Sequence, residues 1–147
     1  MQATKYFSSF LVMLVLSGVS IAVTQDELFA HKWYLGILDQ EVLIMAKFVD
    51  QKPYLKFEPD NTFTGFVGCN HLAGTYSLTS PDGLELNVVI PSTASSTCQQ
   101  EFIDLETKFI TSLPRVKVVN ITNNVLYFKS DIDNASSIAV FAPEEPY

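Results

Sequence analysis

The chain has 147 residues, 48% hydrophobic and 17% charged, which gives room for one domain and sets it well apart from disordered sequences. Its formal charge is −7 with the lysines scattered, so nucleic acid and anionic headgroups are excluded as expected partners, because their binders cluster Lys and Arg. Two cysteines and two histidines leave little material for metal or nucleophilic chemistry.

Met1 to Gln25 carries Lys5 as its only charge, and Phe10 to Leu16 is apolar throughout. A short basic start, an apolar stretch and the small residues Ser20 and Ala22 form the three parts of a secretory signal. Ser8, Ser9, Ser17, Gly18 and Ser20 interrupt the stretch, so it reads as a cleaved leader rather than an anchor. Residues 1–22 are thus expected to be a signal peptide cleaved near Ala22, and residues 23–147 an exported domain, periplasmic or secreted, with no stable membrane span. No Cys follows the leader to carry a lipid. Without Lys5 the domain holds 8 basic against 16 acidic side chains, a formal charge of −8.

Trp33 to Leu38 reads as the first strand, and Glu41 to Gln51 as a loop or short helix because its apolar residues fit neither period. Tyr54 to Phe57 and Thr62 to Val67 form a hairpin about the turn Pro59-Asp60-Asn61. Ala73 to Leu78 and Leu84 to Ile90 form a second about Pro81-Asp82-Gly83. Phe102, Leu105, Phe109, Ile110 and Leu113 then fall at helical spacing, with Glu101, Asp104 and Glu106 near the helix start and Pro114 ending it. Arg115 to Ile121, Val125 to Lys129 and Ser137 to Phe141 close the chain as strands, with Asn123-Asn124 and Asp131 to Asn134 as turns. The fold class expected is mostly β (α+β): a small curved antiparallel sheet or open barrel of about eight strands with one amphipathic helix.

Cys69 and Cys98 are an even count in an exported domain, and either a disulfide or two buried free thiols fits them. Phe63-Thr64-Gly65-Phe66-Val67-Gly68-Cys69-Asn70, followed by Gly74 and Tyr76, resembles the G-x-x-GCN-x-x-x-G-x-Y signature of the META domain family, also called HslJ-like after the heat-shock lipoprotein. The Ser/Thr-rich approach to Cys98, the helix carrying Glu106 and Leu113, and an opening Trp33 extend the resemblance to about Phe141. Thr93 stands five residues before Cys98 where the family pattern has a Thr four before, with Ala94 in that place. The resemblance implies an envelope or secreted protein linked to stress response, antibiotic tolerance or virulence. It carries no catalytic residue, cofactor or metal. Trp33, Gly65, Gly68, Cys69, Asn70, Gly74 and Tyr76 therefore read as structural, with Asn70 bonding to nearby backbone.

A Cys69–His71 catalytic pair is disfavoured in a glycine-bounded turn, and Cys69, His71, Cys98 and His31 lack the spacing of a metal site. Asp131, Asp133 and Asn134 lack the glycine and distal Glu of a calcium loop. Carboxylates such as Glu58, Asp60, Glu85, Glu101, Asp104 and Glu106 read as a solvated face, and Asn120-Ile121-Thr122 and Asn134-Ala135-Ser136 are formal glycosylation sequons. The expectation is a monomeric, non-enzymatic domain that binds a protein or envelope component, with Phe66 and some tyrosines on the binding surface. A carrier using the barrel interior is the first alternative, to be recognised by a large apolar cavity, and a hydrolase the second.

Overall fold

The computed structural model describes residues 22–43, 52–79, 82–89, 97–131 and 136–143. The stretch up to residue 21 expected to be a leader, most of the Glu41–Gln51 stretch, the Thr93 region, and the Asp131–Asn134 turn after Asp131 with the start of the Asn134-Ala135-Ser136 sequon lie outside the described residues.

Strand β1 (Lys32–Leu38) opens the sheet with Trp33, Leu35 and Leu38 buried. Its alternation skips at Gly36 because the pairing with the last strand shifts there by one residue, a bulge that turns both Leu35 and Leu38 inward. Asp39 and Gln40, with φ of 48° and 68°, make the two-residue turn into the short β2 (Glu41–Val42). β3 (Tyr54–Phe57) and β4 (Thr62–Phe66) form the first expected hairpin, and Asn61 supplies its left-handed residue at φ 64°. β5 (His71–Thr79) and β6 (Gly83–Val89) form the second. β7 (Val118–Thr122) and β8 (Val125–Lys129) meet at Asn123 and Asn124, both at positive φ, and β9 (Ala139–Pro143) ends the described chain.

The strands pair antiparallel in the order β1-β3-β4-β5-β6-β7-β8-β9, and β9 returns to pair with β1. The expected curved sheet is therefore an eight-stranded closed barrel, with β2 as a ninth strand added beside β1. Among the described residues its thinnest seam is between β6 and β7, where Gly83 opposite Val118 is the one ladder position.

The amphipathic helix α2 (Gln100–Ser112) follows β6 and turns Leu105 and Phe109 inward. Pro114 then sits in a 3-10 turn, Leu113–Arg115, where its missing N–H is not needed. A short α1 (Gln25–Phe29) precedes β1 and was not expected from the sequence pattern. Thr24 and Glu27 close a capping box on it, and the Trp33 indole N–H donates to the Leu28 carbonyl at 2.7 Å, so α1 is fastened over a fully buried tryptophan.

Aromatic rings run through the interior. Phe57 packs on Phe63 at 5.8 Å, on Tyr76 at 5.1 Å and on Phe128 at 6.5 Å, and the series continues through Phe141 to Phe109 on the helix. Phe57, Phe63, Phe109, Phe128 and Phe141 are each no more than 1% exposed, and Leu35, Leu55, Leu84 and Leu126 fill between them.

Candidate binding face

The signature residues converge on the corner between β4 and β5. Gly68 holds φ at 124°, and a β-carbon there would run into the Phe102 carbonyl of α2, so only glycine lets helix and corner meet. Cys69 and Cys98 are joined, with Cα atoms 5.9 Å apart, which pins the corner to the residues that lead into α2. The bond consumes both sulfurs, so neither thiol is left to serve as a nucleophile or a metal ligand.

Glu106, placed by sequence reading on a solvated helix face, instead points into this corner. Its Oε2 accepts from the backbone N–H of Cys69 at 3.1 Å and of Asn70 at 2.7 Å, and its Oε1 accepts from Asn70 Nδ2 at 2.7 Å. Asn70 thus bonds a side chain from α2 rather than nearby backbone. Gly74 is needed for close approach, since a β-carbon would meet the Asn87 carbonyl and the Phe63 ring. Tyr76 is buried and donates its hydroxyl to the Glu58 carbonyl at 3.0 Å, while Gln25 of α1 donates to the same hydroxyl at 3.2 Å. Trp33, Gly68, Cys69, Asn70 and Tyr76 thus make contacts with α1, α2 or the strands beside them, and Gly65, like Gly74, lies where a β-carbon would meet a neighbouring backbone carbonyl, that of Tyr54.

Two carboxylates titrate below their usual range. Asp60 is stabilised as the anion by the Thr62 hydroxyl, at 2.6 Å, and then by the Thr62 backbone N–H, at 3.1 Å. Glu27 is held down by hydrogen bonds from the Thr24 backbone and then its hydroxyl. Both lie on turns or caps, which gives them a structural cause rather than a catalytic one. Among the described residues, no group of three or more His, Cys, Asp or Glu side chains could hold a metal ion. Sequon residues Asn120 and Thr122 line an open polar depression of about 220 Å³ with Tyr127, Lys129 and Ser137.

The outer wall carries a feature that only the register reveals. Tyr34 of β1 lies opposite Tyr54 of β3, Tyr54 opposite Phe66 of β4, and Phe66 opposite His71 of β5. Residues paired across strands share a face, so these four rings form one row on the outside of the barrel. Tyr34, Tyr54 and Phe66 are half-buried and His71 is exposed. Ring centroids are 6.2 Å apart for Tyr34 and Tyr54 and 5.3 Å for Phe66 and His71. Lys32 places its Nζ 3.8 Å from the Tyr54 ring centroid and 5.5 Å from that of Tyr34, a cation over two π faces. Lys56 lies opposite Lys32 and is paired with Glu58 at 2.6 Å. Sequence parity identified Phe66 as outward, whereas the contribution of Tyr34 and Lys32 required knowing that β1 pairs with β3.

The sequence model of the META domain family matches residues 26–143. No curated protein sequence matches the chain. Among solved structures, a DUF4847 family protein from Bacteroides vulgatus is similar at a TM-score of 0.51 and 18% identity, over 80% of this chain and 94% of that one. A protein from Burkholderia xenovorans, solved by NMR, is similar at a TM-score of 0.60 and 17% identity, over 83% of this chain and 87% of that one. At such identities the likeness is one of fold.

Proposed function

The chain belongs to the META domain family, and from that premise we propose that it is a non-enzymatic exported protein that binds a protein or envelope component, in a setting of stress response, antibiotic tolerance or virulence. The observation that carries this reading is the row Tyr34–Tyr54–Phe66–His71 with Lys32 over its tyrosines, on the wall of a barrel whose interior is already filled. Large aromatic side chains on a rigid sheet give contact area at low entropic cost, and those at protein surfaces concentrate at binding sites. The same aromatic filling weighs against a carrier, since the space that a ligand would take is occupied by Phe57, Phe63 and Phe128. The Cys69–Cys98 bond and the capping roles of Glu106, Asp60 and Glu27 are structural uses of groups that a hydrolase would need for chemistry. An exported location agrees with the disulfide and with the leader expected over residues 1–22.

The test is retention of envelope components by the immobilised domain and by a Tyr54→Ser/Phe66→Ser variant. A component held by the first and lost by the second is expected. Identical retention by both would overturn the assignment of this face.

A further inference from the structure

Helix α1 begins where the expected leader ends. Its N-cap, Thr24, is the second residue after Ala22, and Val23 between them is half-buried and packs against the core. The Thr24 backbone N–H and hydroxyl both donate to Glu27 Oε2 at 2.8 Å, and the Thr24 carbonyl accepts from the Leu28 N–H at 3.3 Å. Gln25 Nε2 reaches across to the Pro59 carbonyl at 3.3 Å, to Asn61 Oδ1 and to the Tyr76 hydroxyl at 3.2 Å. Leu28 is fully buried, and its carbonyl holds the Trp33 indole. No spacer separates Ala22 from the first packed side chain.

An endopeptidase takes its substrate as an extended segment, with residues on both sides of the bond in its cleft. A bond flush against packed structure is therefore cut only when that structure opens. Opening here means withdrawing Val23 from the core, breaking the capping box and freeing Leu28, because the five residues of α1 make little more than one turn and move together. A cut one or two residues beyond Ala22 would remove Val23 or the cap itself, whereas a cut after Ala22 leaves both in place.

We propose that Ala22–Val23 is a proteolytic processing site that folding closes: a signal peptidase, which recognises small-x-small sequences such as Ser20-Ile21-Ala22, cuts it only before α1 docks. This rests on the reading of residues 1–22 as a leader. The step is a hydrolysis in which the hydroxyl of a water goes to the Ala22 carbonyl carbon and the bond to the Val23 nitrogen breaks. The proton of that water goes to the nitrogen, which becomes the new amino terminus. The order of events then decides the product. A chain cut while unfolded becomes the free domain, and a chain that folds first keeps residues 1–22 joined to it.

The test uses the full chain folded in detergent micelles, with the emission of the buried Trp33 as the check on folding, and a purified signal peptidase whose cut is located by mass. A synthetic peptide of residues 8–32 in the same micelles is the unfolded comparison. The peptide should be cut after Ala22, and the folded chain at least roughly tenfold more slowly. A variant with Val-Thr-Gly-Ser-Gly-Ser-Gly-Ser inserted between Ala22 and Val23 keeps the residues that follow the bond and moves the bond away from α1 without touching the fold. While folded, it should regain the rate of the peptide. A natural chain cut as fast as the peptide when folded would overturn the proposal. So would an insertion variant as resistant as the natural chain, since the protection would then lie elsewhere than in α1. A peptide left whole would overturn the leader reading itself, which separates that failure from failure of the folding gate.

Discussion

Glu106 holds Asn70 from two directions, one carboxylate oxygen on its backbone N–H and the other on its side-chain amide. These are charge-assisted bonds in a partly buried corner, stronger than their neutral counterparts. Glu106→Ala is expected to cost about 2 to 3 kcal/mol in urea unfolding, because it strands three donors at once. Glu106→Gln should lose most of that too, since an amide nitrogen set against Asn70 Nδ2 puts donor against donor. Asp104→Asn, two residues away on the exposed face, should change stability by less than about 0.5 kcal/mol.

The disulfide acts on the same corner by a different route. Cys69 and Cys98 are 29 residues apart, and closing a loop of that size is worth about 3 to 4 kcal/mol in the chain-entropy description. Replacing both by Ser should cost that amount, measured by urea unfolding. Combining it with Glu106→Ala should depart from additivity by more than about 0.5 kcal/mol, since both restrain Cys69 and its neighbour. Strict additivity would mean that the corner does not behave as a unit.

The N-terminal helix carries a pH dependence of known sign. Glu27 titrates below its usual value in the folded protein because Thr24 donates to its anion. A carboxylate depressed on folding contributes stability that is fully present above its unfolded pKa and is lost as pH falls through the folded one. Acidification below about pH 4 should therefore loosen α1 ahead of the barrel. The sole tryptophan reports it directly: Trp33 is fully buried beneath Leu28, so its emission should shift red as α1 lifts. In Glu27→Gln the early acid step should disappear, with α1 weaker at neutral pH. An acid transition identical in the two proteins would show that another group governs it.

The legible parts of this fold were those set by local rules. Alternation from Phe63 to Val67 and the turn residues Pro59-Asp60-Asn61 gave the β3–β4 hairpin, and the helical spacing of Leu105 and Phe109 gave α2 with its inward face. The capping box Thr24-x-x-Glu27 was present in the sequence too, but it lay beside an apolar run that dominated the reading of that region. Closure by β9 onto β1 joins residues about a hundred positions apart, and no local pattern encodes it. The aromatic row has the same origin. Tyr34 and Tyr54 are distant in sequence, and only the β1–β3 register makes them neighbours under Lys32. Glu106 was misread because helix periodicity says which face a residue occupies and not what the chain folds against that face.

Phe63 and Phe66 lie three residues apart on β4 and face opposite ways, so substituting each by Ala separates core from surface on a single strand. Phe63 is 1% exposed and packs on Phe57, and its removal should cost about 3 to 5 kcal/mol by opening a cavity in the aromatic series. Phe66 is half-buried on the outer wall beside His71, and its loss should cost no more than about 1 kcal/mol. If urea unfolding gave the two variants equal losses, the outer row would be part of the stability core and its rings would not be available to a partner. A large loss at Phe63 with a small one at Phe66 leaves the aromatic row as surface that folding does not need, which is what a binding face requires.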